Sequence, residues 1–169
     1  MTPSMTVPLE YDRRTIWFHW VSAVLLIAQW PIGKIMVLPS PPDRSDLLYA
    51  IHVAIGLLVA GITLARVVWH FRRPAPGILS MPKIERIAYR ANHYLLYGLL
   101  GVLSFTGIAI LLAASGFSAF ELVKNTGPHT QHEIASTVFA GLFLMHFTGA
   151  VVYQARKGQT LRRMGVRLR

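Results

Sequence analysis

The sequence predicts an all-α membrane protein, a transmembrane four-helix bundle in a single domain over residues 1–169. Hydrophobic residues make up 53% of the chain and charged residues only 14%, whereas a soluble domain has about 25% charged residues. The mean hydropathy is +0.45, and the apolar residues form long blocks rather than the periodic pattern of a surface helix or strand. Such a chain has too few polar residues to cover a soluble core, so we expect membrane lipid around it.

Four apolar segments are each long enough to be a membrane span, because crossing about 30 Å of hydrocarbon takes about 20 helical residues. We predict spans over residues 15–37, 47–71, 91–114 and 132–154. Pro31 lies near the far end of the first span, where we expect a kink that neighbouring helices tolerate. This first segment contains His19 and no small-residue cleavage site, so we interpret it as a span rather than a signal peptide.

Two of the connecting segments have features of their own. Residues 71–90 are rich in proline, a composition typical of an extended link. Within the next connection, residues 117–124 are predicted to form a short helix on the membrane surface. We find no internal repeat and no soluble domain.

The basic residues are divided unequally between the two sides of the predicted bundle. Of the 17 lysines and arginines, only Lys34, Arg44 and Lys124 fall on the side of the first and third connections, and Arg66 falls within the second span. The positive-inside rule therefore predicts cytoplasmic termini in a bacterial inner membrane. Because the net charge of +10 comes from short clusters and not from one stripe, we expect no nucleic-acid partner.

The absence of cysteine limits the redox chemistry that the chain can support. It excludes iron–sulfur clusters, disulfides and covalently attached c-type haem. Any redox cofactor must therefore be held by histidine or methionine, or without covalent bonds to the chain.

Histidines supply the strongest functional signal. An ionisable residue inside a bilayer is costly and usually faces the bundle interior. A single one could simply join two helices through a hydrogen bond, but a set spread over four helices favours a cofactor site. Five of the seven histidines lie in or at the edge of the spans: His19, His52, His93, His132 and His146.

The depths of these histidines predict two pairs. His52 lies near the outer end of the second span, and His132 opens the fourth span at the same level. His146 follows His132 by 14 residues, about 21 Å along one helix and on nearly the same face. His19 lies at the level of His146. We therefore expect His52 with His132 at an outer site, and His19 with His146 at an inner site.

Two imidazoles at each level suit a six-coordinate, low-spin haem with no open position for substrate. Zinc is the alternative metal, but it requires four tetrahedral ligands, usually with help from thiolates or carboxylates. The membrane cores contain no Asp or Glu, since the nearest, Glu133, lies at a span boundary. The expected cofactors are therefore two haem b groups, with iron held by the four paired histidines.

Other residues in the spans are consistent with bound porphyrins. Arg66 lies 14 residues after His52 and is predicted to pair with haem propionates at the inner level, unless it extends to the cytoplasmic interface. His93 could replace His19 as a ligand, bind a propionate or line a quinone pocket. Small residues could make room for the porphyrins or only allow close helix packing; they are Gly56, Gly98, Gly101, Ser104, Gly107, Ser136, Ala140, Gly141 and Gly149.

Together these features resemble the bacterial cytochrome b561 family, which includes b-type cytochrome subunits of nickel–iron hydrogenases. The resemblance covers essentially the whole chain. The residues that carry it are Ile16, His19 and Trp20; Ile51-His52-Val53 with Gly56; His132-Glu133; His146; and Thr160, Leu161, Arg163 and Met164.

The resemblance implies a four-helix bundle with two haems b, ligated in the same two pairs as the depths predict. It further implies electron exchange with ubiquinone, and in one type of member the oxidation of superoxide at the periplasmic face. We therefore expect an oxidoreductase of the superoxide:ubiquinone type, or an electron carrier.

Two other functions compete with this interpretation. The chain could be a membrane-anchor subunit that relays electrons from a partner hydrogenase or dehydrogenase to quinone, in which case a catalytic subunit would co-purify with it. It could also be a haem-free proton or metal carrier, in which case the purified protein would be colourless. For the leading hypothesis, Lys34, Arg44 and Lys124 are candidates for steering an anion.

Overall fold

The computed structural model describes residues 11–39, 41–72, 82–115, 128–158 and 160–166. These residues contain helices and no strand, which confirms the all-α prediction. The helices are α1 (Arg13–Ile35), α2 (Pro42–Arg72), α3 (Lys83–Ala114), α4 (Pro128–Lys157) and the short α5 (Thr160–Arg163). The first four are each long and apolar enough to cross a membrane.

The helices extend beyond the predicted spans because polar residues and prolines form their ends. The Asp12 side chain caps α1 by accepting hydrogen bonds from the backbone N–H groups of Arg14 and Thr15. Pro42 and Pro128 are the first residues of α2 and α4, where the missing proline N–H has no intrahelical partner to lose.

Helix α3 begins at Lys83, directly after Pro82. The interpretation of residues 71–90 as an extended link is therefore wrong for 71–72, which end α2. It is also wrong for 83–90, where Glu85 in the first turn favours a helix start. Residues 73–81 of this link and the predicted surface helix over 117–124 lie outside the described residues.

The outward faces of the long helices are apolar. Val24, Leu64, Phe105 and Leu144, one from each long helix, are 64–70% exposed. Exposed apolar surface on this scale is unfavourable in water but is what a lipid-facing helix presents. The structure thus agrees with a membrane bundle.

Two helical hairpins make up the bundle. Helix α1 packs against α2, α3 packs against α4, and α2 joins the hairpins by packing against α3. We call the end with the α1–α2 and α3–α4 connections the outer end, and the opposite end the inner end. A central layer of Val59, Leu100 and Phe139 separates an outer cavity from an inner one.

The segment after α4 packs against the inner end of α1. The Trp20 indole donates a hydrogen bond to the Met164 carbonyl at 3.0 Å. The hydroxyls of Tyr11 and Tyr89 are 2.9 Å apart. Gly158 has a φ of 66°, a left-handed conformation that ends α4 and turns the chain into α5. The segment after α4 therefore contacts α1 at Trp20, the residue that follows His19.

Candidate cofactor sites

The rings of His52 and His132 lie opposite each other in the outer half of the bundle. His52 belongs to α2 and His132 to α4, and their ring centres are 6.3 Å apart. Metal–imidazole bonds are about 2.0–2.1 Å long, so two imidazoles on opposite sides of one metal ion have centres roughly 6 Å apart. The observed spacing is compatible with two ligands of a single metal ion.

A cavity of about 610 Å³ adjoins this pair. Its volume lies within the range of about 300–1,000 Å³ that is usual for ligand and cofactor sites. All four long helices contribute apolar side chains to it, among them Leu26, Val53, Leu103 and Phe139. The lining continues to the outer end of the bundle at Lys34. The cavity therefore has the size and apolar lining that a porphyrin requires.

An ion pair lies at the outer rim of this cavity. Lys34 Nζ and Glu133 Oε1 are 3.2 Å apart, and both side chains are partly exposed, so the pair contributes little to stability. It nevertheless offsets the positive charge of Lys34, one of the three predicted candidates for steering an anion. Arg44 is exposed, and Lys124 lies outside the described residues.

Glycines on neighbouring helices make room for both outer imidazoles. A Cβ atom added to Gly33 of α1 would lie 2.9 Å from His52 Cε1. One added to Gly107 of α3 would lie 3.3 Å from His132 Cε1. Each ring thus packs directly against a glycine of the adjacent helix in its own hairpin, and a larger residue would displace it.

The two outer histidines differ in their polar contacts. His132 Nδ1 lies 2.8 Å from the hydroxyl of Thr106 on α3. His52 Nδ1 is buried and has no hydrogen-bond partner among the described residues. Gln29 of α1 instead holds the His52 backbone, by donating a hydrogen bond from Nε2 to its carbonyl oxygen at 2.9 Å.

The inner half of the bundle brings together the second predicted pair. The rings of His19 on α1 and His146 on α4 have centres 6.2 Å apart, nearly the same spacing as the outer pair. Both pairs therefore connect the α1–α2 hairpin with the α3–α4 hairpin, and α4 contributes one histidine to each.

Arg66 and His93 also lie at the inner pair. Arg66 Nη2 is 3.4 Å from His19 Nδ1, and the guanidinium lies over the Tyr97 ring at 5.4 Å. His93 Nδ1 donates a hydrogen bond to the Tyr89 carbonyl at 2.7 Å, and its ring centre is 4.9 Å from that of His146. The structure thus places both residues at the predicted level.

The inner cavity is much smaller than the outer one. Its volume is about 60 Å³, roughly the share of two water molecules in the liquid. Arg66 and His93 are among its lining residues. With the side chains in these positions, the inner cavity is too small for a porphyrin.

The donor set at each level fits haem better than a metal ion bound by side chains alone. The described residues contain no group of three or more His, Cys, Asp or Glu that could hold a metal ion. At each level the two imidazoles would hold the iron of one haem, and the porphyrin would supply its remaining ligands. The outer site fits haem b in ligand spacing, volume and lining, whereas the inner site fits it in ligand spacing only.

Several residues of these sites were not found from the sequence. Gly33 follows Pro31 closely and is most simply interpreted as part of a kinked helix end. Gln29 and Thr106 are single polar residues in apolar runs and carry no spacing signal. Gly107 was noted only as a small residue, and its contact with His132 depends on how α3 and α4 are rotated against each other.

Comparison with known proteins gives matches over most of the chain. A family model described as prokaryotic cytochrome b561 matches residues 10–165. The chain is 33% identical over 108 residues to cytochrome b561 homolog 2 of Escherichia coli (strain K12), a match covering 63% of this chain and 57% of that protein. It is 26% identical over 134 residues to the probable superoxide oxidase CybB of Yersinia pestis, covering 78% of this chain and 75% of that protein. The chain thus spans little more than half the length of the Escherichia coli relative.

Proposed function

Because this chain belongs to the prokaryotic cytochrome b561 family, whose members are membrane proteins with b-type haem, we propose that it transfers electrons from superoxide at its outer face to ubiquinone. The single observation that carries this proposal is the pair of facing imidazoles at each of two depths of the bundle. Bis-histidine haems without an open coordination position suit electron transfer rather than substrate binding at the iron.

In this proposal His52 and His132 hold the outer haem, and His19 and His146 hold the inner one. Haem b, when bound, supplies one-electron oxidation and reduction at its iron. The outer assignment is supported by the ring spacing and by the apolar cavity of about 610 Å³. The inner assignment is supported by the ring spacing alone.

Arg66 has a specific part in the inner assignment. Its guanidinium can only donate hydrogen bonds, so its contact with His19 Nδ1 leaves the proton of a neutral His19 on Nε2. Binding iron through Nε2 requires Arg66 to leave His19, and a haem propionate would be a stronger acceptor for it. His93 remains a candidate for a second propionate contact, a quinone contact or an alternative ligand.

Superoxide is proposed as donor because the Yersinia pestis relative is a probable superoxide oxidase. Two superoxide anions would each lose one electron and become dioxygen, and ubiquinone would take up the two electrons with two protons to become ubiquinol. We further propose that the protein lies in the bacterial inner membrane with both termini cytoplasmic, since the inner end carries most of the basic residues.

Haem content of purified variants tests the ligand assignment. We expect about two haems b per wild-type chain, loss of mainly the outer haem in His132→Ala, and loss of mainly the inner haem in His146→Ala. His70→Ala serves as the control, because His70 is exposed and lies in neither pair. Two intact low-spin haems in both pair variants would show that the ligand assignment is wrong.

The donor and acceptor are tested by feeding superoxide to the purified protein in the presence of ubiquinone. We expect superoxide consumption and ubiquinol formation in a ratio of two to one, both lost in His132→Ala. If the protein is reduced only in the presence of a co-purifying hydrogenase or dehydrogenase subunit, it is instead a membrane-anchor subunit.

A further inference from the structure

We propose that Thr106 of α3 is a positioning residue for the outer site. Its hydroxyl holds His132 in the tautomer that carries the proton on Nδ1, so that Nε2 is free to bind a metal ion. The proposal rests on the proposed role of His132 as a ligand. No sequence motif marks Thr106, whereas its hydrogen bonds and its burial do distinguish it.

The direction of the Thr106–His132 hydrogen bond follows from counting protons. The Thr106 hydroxyl has one proton, and its oxygen lies 2.8 Å from the Val102 carbonyl and 2.8 Å from His132 Nδ1. A carbonyl can only accept, so the contact with Val102 uses the hydroxyl proton. Both short contacts are hydrogen bonds only if His132 Nδ1 carries a proton and donates it to Thr106.

This arrangement determines which nitrogen of His132 is available. A neutral imidazole has one protonated nitrogen and one with a free lone pair. With the proton on Nδ1, the lone pair is on Nε2. In metal sites the second ring nitrogen of a ligating histidine usually makes such a bond, which orients the ring and raises its basicity.

The surroundings of Thr106 favour a fixed geometry. Thr106 is 5% exposed, and the next residue, Gly107, leaves the space that the His132 ring occupies. Consecutive residues of α3 thus provide a hydrogen-bond acceptor and a gap for the same imidazole. His52, in contrast, has no such partner at Nδ1 among the described residues, so the support is specific to one ligand of the outer pair.

Two matched pairs of residues at position 106 isolate the hydroxyl. Thr and Val have nearly the same shape, as have Ser and Ala, and within each pair only the hydroxyl differs. We expect Thr106→Val and Thr106→Ala to weaken retention of the outer haem by about 10–100-fold. We also expect them to raise its midpoint potential, because a less basic ligand stabilises the oxidised iron less. Thr106→Ser should remain close to wild type. Thr137→Val should as well, because the Thr137 hydroxyl donates a hydrogen bond to the Glu133 carbonyl and not to a histidine among the described residues.

Redox titration and haem retention on the purified holoprotein provide the measurement. Unchanged outer-haem potential and retention in Thr106→Val would overturn the proposal, and so would equal effects of Ser and Ala. If Thr106→Val does not insert into the membrane, the Ser and Ala variants decide in its place. A wild-type-like pair of haems in His132→Ala would instead refute the proposed ligand role, so the two failures are distinguishable.

Discussion

Single glycines determine where the outer imidazoles can lie. Gly33 and Gly107 are the two helical glycines at which an added Cβ would come closest to a histidine ring among those described. Most other glycines of the long helices would have no neighbour within 4 Å of a Cβ. Small residues in a membrane bundle often serve only close helix packing, but these two make space for the imidazoles of His52 and His132.

Replacing Gly33 with alanine should disturb the outer site specifically. The new Cβ would lie 2.9 Å from His52 Cε1, so the ring must move, and we expect weaker outer-haem binding or a shifted absorbance band. Gly61→Ala on α2 is the matched control, because a Cβ there meets nothing within 4 Å and alanine is the better helix former. Equal haem content and spectra in both variants would contradict the role of Gly33.

At the scale of whole helices, α3 has a role that differs from those of its neighbours. It contributes neither member of either facing pair, yet it carries Thr106, Gly107 and His93. Helix α4 carries one histidine of each pair. Helix α3 therefore positions His132 of α4 through Thr106 and Gly107. The apolar sequence of α3 does not predict this role.

The start of α1 depends on the ionised form of Asp12. Burial alone would raise the pKa of Asp12, but hydrogen bonds from Thr15, Trp69 and Arg14 outweigh it and lower the pKa below its usual value. A lowered pKa in the folded state means that Asp12 stabilises the fold fully above its unfolded pKa of about 3.9, and that this contribution is lost as the pH falls through the folded pKa.

We therefore expect Asp12→Ala to lower stability by about 1 kcal/mol at neutral pH and by less at acidic pH. Asp12→Asn is the control, since asparagine also caps helices but does not titrate. Thermal unfolding in detergent from pH 3 to 7 measures both variants. If the difference in thermal midpoint between wild type and Asp12→Ala stayed constant down to pH 3, the ionised carboxylate of Asp12 would not be what stabilises the start of α1.

At the scale of the whole molecule, both histidine pairs connect one hairpin to the other. A metal ion or haem bound at either pair would cross-link α4 to the α1–α2 hairpin. The buried apolar core of the described residues is small, and Val59, Leu100 and Phe139 form its central cluster. Cofactor binding should therefore contribute much of the stability of the assembled bundle.

Haem loading is expected to raise the thermal midpoint of the protein in detergent. A ligand that binds only the folded state at 100 times its dissociation constant stabilises it by about 2.7 kcal/mol per site. The double variant His132→Ala/His146→Ala should show no increase when haem is added. An equal increase in the thermal midpoint of the wild type and of the double variant would indicate nonspecific haem binding.

The helical class, the four helices long enough to cross a membrane and the positions of the histidines along them follow from the sequence alone. These properties depend on the local order of apolar residues and on the fixed rise of an α-helix. They can therefore be predicted from neighbouring residues in the sequence. The extent of α3 was only partly predicted, because its amphipathic first turns lack the continuous apolar run of a span.

The contacts between side chains of different helices depend on the three-dimensional packing. The contacts of Gly33 with His52 and of Thr106 with His132, the pairing of Lys34 with Glu133, and the small inner cavity all depend on how neighbouring helices are rotated and offset. Rotation and offset arise from packing between segments distant in the chain, and no local pattern encodes them. The two facing histidine pairs could therefore be predicted from the sequence, and their role as ligands stays a prediction. The residues that contact these histidines could not be predicted.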